Sequence, residues 1–406
     1  MNQNQNQDFN IPNQQLNNIP EENEYDSRND FLEISVVNEI VQKIEQIDSR
    51  CKGQIGESIV NDRIRQLAYA KILCNVYNKD ITYLIKAYAQ LGISYLDIEY
   101  FEQAQEHLLN AFKLNENLSD EDSINMKEFQ IKILINLSKC YLENDKLEAA
   151  KQICERSLMM NNTLFGKNHV SNADIYYVLA KIYTKLKNYR EAIENLKLMF
   201  KIYESIYGVE SEKTAKVLME IGKIYEFANL YNDAIDNYLN AYKIWEKVIT
   251  DENFEVLFQI SLDLSELYSK IEDGVNSYNI LSETEKKYAD KVERSLKDRV
   301  VFQRSKIQAS SSLNDIYKYL EEYLKLEQIL NETQENQKTL AKTCISIGYI
   351  YLEIRDKEKC LEYLRKAEKI FKNNGDKKCT EDISNRISEI QKKNIEEEGE
   401  GNENDI

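Results

Sequence analysis

Proline is almost missing from this chain. Only Pro12 and Pro20 occur in 406 residues, so nothing beyond position 20 carries the residue that most reliably interrupts a helix. An almost wholly helical body is the expectation. Histidine is as scarce, with His107 and His169 alone, and neither stands in a cluster of possible ligands. Both read as structural residues. No window approaches the roughly 18 consecutive apolar residues that a membrane-spanning helix needs, so no membrane insertion is expected. The Cys-x-x-Cys spacing is absent, and the seven cysteines (Cys51, Cys74, Cys140, Cys154, Cys344, Cys360 and Cys379) are odd in number and scattered. That pattern suits buried reduced thiols better than a disulfide framework or a zinc site. A basic excess is lacking too: 53 Lys and Arg against 70 Asp and Glu leave a formal charge of −17, which repels nucleic acid. Also absent are the sequences GxxxxGK[ST], GxGxxG, GxSxG and HExxH, and with them the usual phosphate, nucleophile and zinc devices. Carboxylate pairs are plentiful, but on helix faces they solvate rather than catalyse. The expectation is a non-enzyme with no catalytic residues, no cofactor and no metal.

The two ends differ in composition from the body. Met1 to Asn18 is rich in Asn and Gln, lacks a basic-then-apolar leader pattern and has nothing to bury, so residues 1–30 read as a disordered tail of a cytoplasmic protein. Ile395 to Ile406 (IEEEGEGNENDI) is acidic and free of aromatics, and reads as a solvated tail.

What the chain does have is a repeat. One column, spaced near 42 residues, is all tyrosine: Tyr95, Tyr141, Tyr183, Tyr225, Tyr268 and Tyr351. Successive offsets are 46, 42, 42, 43 and 83, and the last is about two intervals, so a degenerate unit must fill residues 290–335. Three residues before each tyrosine stands a small residue (Gly92, Ser138, Ala180, Gly222, Ser265, Gly348), and before that a Leu or Ile at 91, 137, 179, 221, 264 and 347. The Leu/Ile and Tyr positions are four apart and share a buried helix face; the small residue lets a second helix come close. Nine residues after each tyrosine comes Ala104, Ala150, Ala192, Ala234, Ser277 or Cys360, which places a second small column on the next helix. Short polar links such as Lys187 to Arg190 join the two helices of each hairpin. Between hairpins, Phe165-Gly166 and Tyr207-Gly208 put an aromatic before a glycine able to end a helix.

This pattern, Leu-small-x-x-Tyr followed by a small residue nine on, resembles the tetratricopeptide repeat. The 42-residue interval and the Phe165-Gly166-x-x-His169 junction resemble the longer version of kinesin light chains. The resemblance implies an all-α chain, a right-handed α-α superhelix or tetratricopeptide-repeat solenoid, over residues 79–375. Residues 31–78 are expected to form an N-terminal helical capping pair, and residues 376–394 a C-terminal helix ahead of the acidic tail at 395–406. Ser277 and Cys360 stand where Ala is usual, and Gly274 where an aromatic is usual, so looser packing is expected in the later units. Leu67 to Leu109 is also similar, more weakly, to the opening repeats of the ciliary tetratricopeptide repeat protein 23 group.

In this family the first helix of each hairpin lines a concave groove. Six residues before the small position stand Lys86, Lys132, Lys216 and Lys342, interrupted by Asp174 and Gln259, and one residue after it Lys139, Lys181 and Lys223; between these two positions lie Ile135, Tyr177 and Met219. Long cationic stems around apolar patches suit an extended acidic segment of another protein. The bland alternative is that these lysines solvate their helices and pair with nearby glutamates. The expected function is a protein–protein interaction scaffold whose peptide-binding groove holds an acidic partner, with tubulin tails or ciliary transport-complex proteins as targets. The alternatives are a structural component of an axonemal or ciliary assembly, and a kinesin-light-chain-like cargo adaptor. The last needs a long N-terminal heptad helix, and Ile34, Val37, Val41 and Ile44 give barely two heptads. The lysine and asparagine set of the chaperone-binding carboxylate clamp is not reproduced.

Overall fold

The computed structural model describes residues 27–116, 124–248, 250, 254–288, 296–332 and 336–403. Among them there are helices and no strands. The chain divides into two compact units, Met1–Asn144 and Asp145–Ile406.

The first unit holds α1 (Ser27–Cys51), α2 (Glu57–Asn75), α3 (Thr82–Asp97), α4 (Phe101–Glu116) and α5 (Ile124–Glu143), each packed on the next. Most of the expected tail at 1–30 lies outside the described residues, and α1 begins at Ser27. The apolar face of α1 is used within the unit: Ile40 and Ile44 are buried with Val60, Leu67, Leu73, Leu84 and Leu91, and Val37 and Val41 pack against the same cluster.

The second unit holds α6 (Leu147–Phe165), α7 (Val170–Lys185), α8 (Tyr189–Tyr207), α9 (Glu212–Phe227), α10 (Tyr231–Val248), α11 (Phe254–Lys270), α12 (Gly274–Tyr288), α13 (Leu296–Ser311), α14 (Ile316–Asn331), α15 (Gln337–Glu353), α16 (Lys357–Asn373) and α17 (Lys377–Glu403). Helix α17 runs past the boundary expected at 394, through a stretch whose glutamates favour helix; residues 404–406 lie outside the described set.

The turn inside every hairpin has one non-glycine residue at positive φ: Glu99, Asp145, Lys187, Asn229, Glu272, Asn314 and Arg355. Their spacings are 46, 42, 42, 43, 42 and 41. The last two divide the 83-residue gap of the tyrosine column, and the degenerate unit is therefore a full hairpin, α13–α14.

The small columns sit where the helices cross. A Cβ added to Gly92 would lie 2.7 Å from Leu108 Cγ, and one added to Gly222 would lie 2.9 Å from the Tyr238 ring. Helices α11 and α12 pack less extensively than α7–α8 or α9–α10, as expected, while α15–α16 packs as fully as they do. Ser265 and Ser277 hydroxyls are 2.8 Å apart across the α11–α12 crossing, Cys360 is wholly buried, and Gly274 is required because Ser312 occupies the space its side chain would need. All seven cysteines are free thiols, five of them buried.

Junctions between hairpins are built from polar side chains. Gly166 and Gly208, both at φ near 85°, end α6 and α8. His169 then caps α7, its Nδ1 accepting the Ser171 N–H at 3.4 Å while its ring stacks on Phe165. Asn172, wholly buried, donates to Asn162 Oδ1 and to the Gly166 and Lys167 carbonyls. The other histidine, His107, stacks on Tyr95 and Tyr88, and burial lowers its pKa.

Candidate functional site

The first-helix positions of each unit can be placed separately. In the first unit Lys86 is exposed on α3, and Lys132 is exposed on α5, where it pairs with Glu128 one turn back at 2.7 Å. Lys139 is half-buried, and its charge opposes the effect of burial that raises the Asp97 carboxyl. Ile135 does not belong to an accessible surface: it is 5% exposed. The reason lies in α5 itself, where Ile131, Ile133, Leu134, Ile135 and Leu137 are all buried, so the helix is apolar around most of its circumference.

In the second unit Tyr177, Lys181, Lys216, Met219 and Lys223 all reach the surface of α7 and α9, with Tyr177 and Met219 half-buried. The lysines do not stand alone. Lys181 Nζ lies 5.1 Å above the Tyr177 ring and 3.6 Å from Glu220, and Lys223 Nζ lies 3.1 Å from the other Glu220 oxygen. Burial would lower the Lys181 pKa, but Glu220 and Tyr177 outweigh it and the value is raised. Lys216 pairs with Glu212 and reaches toward the Trp245 ring at 5.9 Å. Met219 packs beside the cluster formed by Ala215, Tyr238 and Trp245.

The charge pattern continues onto α11 with opposite sign. Lys270 bridges Glu226 at 2.7 Å and Glu266 at 3.0 Å, and the Glu226 hydrogen bond foremost pushes its pKa up to about 12. Asp263 accepts a hydrogen bond from Gln259 at 2.8 Å, and burial raises its carboxyl. The surface of α7, α9 and α11 is thus a mixed-charge ladder, not a run of one sign. Glu220 and Asp263, each two residues before its small position, carry the missing half. A search for like residues down a column passes over them because it ignores what the neighbouring helix supplies.

The α13–α14 hairpin departs from its neighbours in chemistry while keeping their turn and period. Counted from its turn residue Asn314, the Leu/Ile position is Lys306, the first small position Ile307, the tyrosine position Ser310 and the second small position Tyr319. Lys306 is 2% exposed and Glu322 is fully buried, with 3.3 Å between their charged atoms. Lys306 also reaches Glu285 at 2.5 Å. Glu322 accepts hydrogen bonds from the Tyr278 hydroxyl at 2.7 Å and from Gln303 at 2.7 Å. Burial alone would raise the Glu322 carboxyl, but Tyr278 and Lys306 outweigh it, and its pKa is lowered. A second glutamate of α14, Glu327, pairs with Lys366 of α16 and accepts from Tyr363.

Comparison with known proteins identifies the repeat in part of this chain. Two models described as tetratricopeptide repeat match, one over residues 129–205 and 179–247, the other over 85–118 and 341–374. The chain carries tetratricopeptide repeats. Neither model reaches 248–340, the stretch that contains Lys306 and Glu322.

Solved structures, two of the three below described as containing tetratricopeptide repeats, are similar at low identity. A signal-transduction ATPase with a tetratricopeptide repeat sensor from Pyrococcus horikoshii is 14% identical, with a TM-score of 0.51, over 88% of this chain and 55% of that one. The C-terminal part of a repeat protein from Cytophaga hutchinsonii is 11% identical, with a TM-score of 0.50, over 72% and 97%. BtubC from P. vanneervenii is 16% identical, with a TM-score of 0.49, over 58% and 92%. No curated protein matches the chain.

Tetratricopeptide repeats generally mediate protein–protein interaction, and the fold is generally non-catalytic. Among the described residues no helix is long and apolar enough to cross a membrane, and no three His, Cys, Asp or Glu gather in a way that could hold a metal.

Proposed function

We propose that this protein is a non-catalytic scaffold that holds an acidic segment of a partner protein against the first helices of its repeats. The observation that carries this reading is the recurrence of exposed lysines at one register position, Lys181 on α7 and Lys223 on α9, each beside a half-buried apolar side chain, Tyr177 or Met219. Cationic stems around an apolar contact suit a peptide that alternates acidic and apolar residues. Taken by itself, the first unit presents Lys86, Lys132 and Lys139 at the corresponding positions of its own helices, and Ile135 drops out of the reading. The resemblance to the ciliary tetratricopeptide repeat protein 23 group makes ciliary or microtubule-associated proteins, tubulin tails and transport-complex proteins among them, the partners to look for; this step is analogy.

A second reading, a structural component of an axonemal or ciliary assembly, is favoured by exposed apolar residues away from that surface. Ile206, Tyr207 and Val209 at the α8–α9 junction are about half exposed together. A kinesin-light-chain-like adaptor fares less well, because Val37, Val41 and Ile44 on the apolar face of α1 that would bind a heavy chain pack against α2 and α3, leaving Ile34 exposed.

Proximity labelling from the tagged protein in its native cell, beside an equally abundant Lys181→Glu/Lys223→Glu variant, separates the readings. Ciliary or tubulin-related neighbours that disappear in the variant support the acidic-partner scaffold. Neighbours that persist move the contacts to other faces, and wholly non-ciliary neighbours remove the assignment to cilia.

A further inference from the structure

The irregular hairpin leaves a cleft of about 380 Å³ between α13, α14 and α15, within the range of roughly 300–1,000 Å³ usual for ligand sites. Its floor is apolar, from the buried Ile307 and Leu326. Its rim carries Arg304 and Lys342, with the hydroxyls of Tyr319, Tyr323, Thr339 and Ser346 around them. In the regular hairpins the two small columns close the crossing; here Ile307 and Tyr319 stand at those positions, and the tyrosine position shrinks to Ser310. Tyr319 and Tyr323 pack edge to face at 5.0 Å, with their hydroxyls 3.5 Å apart. Burial, with Tyr323 beside it, raises the Tyr319 pKa, so this hydroxyl stays a neutral donor.

The cations of this cleft differ from those of α7 and α9. Lys181, Lys216 and Lys223 each have a carboxylate partner, whereas among the described residues neither Arg304 nor Lys342 has one. Two unneutralised cations in a protein of net charge −17, over an apolar floor and among hydroxyl donors, form a place where an oxyanion gains charge-assisted hydrogen bonds. Arg304 offers a planar fork suited to a carboxylate, and Lys342 a point charge beside it. The position belongs to the same face of the repeats: Lys342 is six residues before its small position, in the column of Lys216.

We infer that the α13–α15 cleft is the anchor point for an acidic peptide, with a side-chain carboxylate held between Arg304 and Lys342 and an adjacent apolar side chain on Ile307 and Leu326. This rests on the acidic-partner reading above and places its strongest contact on the degenerate repeat. A phosphorylated side chain offers the same oxyanion chemistry, so the test includes both.

The full-length protein is titrated with a fluorescein-labelled octapeptide of alternating Glu and Leu, read by fluorescence anisotropy at low and physiological salt. A second peptide carries phosphoserine in place of one Glu. Arg304→Gln with Lys342→Gln is expected to weaken binding about tenfold or more, because two charge-assisted contacts are lost. Lys181→Gln with Lys223→Gln should also weaken it, but only about two- to threefold, since those lysines must give up Glu220 to receive the peptide. Both pairs lie at the surface, and unchanged circular dichroism and melting temperature show that the variants fold. A third variant, Arg365→Gln with Lys369→Gln, alters the separate cationic cleft between α16 and α17. If either of the other pairs abolishes binding while Arg304→Gln/Lys342→Gln does not, the cleft assignment is wrong and the acidic-partner reading survives. If neither peptide binds the wild-type protein at low salt, both fall. Tighter binding of the phosphoserine peptide, lost with Arg304 and Lys342, identifies a phosphorylated partner at the same site.

Discussion

The α9–α10 and α13–α14 hairpins share a turn and a period and have opposite interiors. In α9–α10, Ile221 is buried, Gly222 lies against Tyr238, and Ala234 completes the crossing without a charged group. In α13–α14 the position of Ile221 is held by Lys306, which meets Glu322 out of contact with water, while Tyr278, Gln303 and the partly exposed Lys325 donate to the same carboxylate. The turn residues Asn229 and Asn314 are both at positive φ and both in register, so the helical-hairpin period outlasts the loss of every side chain that usually marks it. A hairpin needs two helices whose facing sides are mutually compatible, and an apolar crossing is only one way to meet that condition. The ionic way depends on both partners, because either charge left alone in that interior would be strongly destabilising.

The largest expected effect follows from that dependence. Lys306→Met should destabilise the second unit by about 3 kcal/mol, the low end of what breaking a buried pair costs, because Glu322 loses its buried partner and keeps only the partly exposed Lys325 at 3.2 Å. Lys306→Leu combined with Glu322→Leu, which restores the apolar column, should recover much of that loss, less the cost of leaving the buried Tyr278 hydroxyl without its acceptor. Chemical denaturation monitored by far-UV circular dichroism measures both. A loss below about 1 kcal/mol for Lys306→Met would place the ion pair among weak surface contacts and dissolve the contrast between the two hairpins.

A smaller effect is set by pH. Glu322 is held below its ordinary value of 4.5, so the folded state binds its proton less readily than the unfolded chain does. Its contribution to stability is full above the unfolded value and is lost as pH falls through the lower folded value. Glu322→Gln should remove that increment, so the stability difference between wild type and variant should shrink from neutral pH to pH below about 4. A difference that stays constant across that range would mean that the carboxylate's charge is not what holds the site.

Much of this was legible in the sequence. The tyrosine and small-residue columns locate six hairpins because close crossing demands those sizes at those spacings, and the 83-residue gap announces a seventh. Its contents were hidden, since Lys306, Ile307, Ser310 and Tyr319 break each column at once, and a lysine in a leucine column looks like the absence of a repeat. That Glu322 answers Lys306 requires knowing which helices touch. The same limit applies to Ile135, which shares a column with Tyr177 and Met219 but is covered because α5 is apolar on more than one side. It applies again to Lys181 and Lys223, whose partner Glu220 could be paired with Lys223 along its own helix but with Lys181 only in three dimensions.

The smallest effect concerns that shared glutamate. A double-mutant cycle of Lys181→Gln and Glu220→Gln should give a coupling energy of about 0.2–1 kcal/mol, reduced by salt, since both side chains are partly exposed and their closest approach is 3.6 Å. The cycle compares α7–α9 with α13–α15 as places to receive an acidic partner. A coupling near the top of that range means that a peptide carboxylate arriving at Lys181 must displace Glu220, and its gain there is reduced by the bond it breaks. A coupling near zero means that Lys181 is free to exchange Glu220 for a partner, so the α7–α9 surface would compete on equal terms with the Arg304 and Lys342 cleft, and the advantage of the degenerate hairpin would rest on its shape alone.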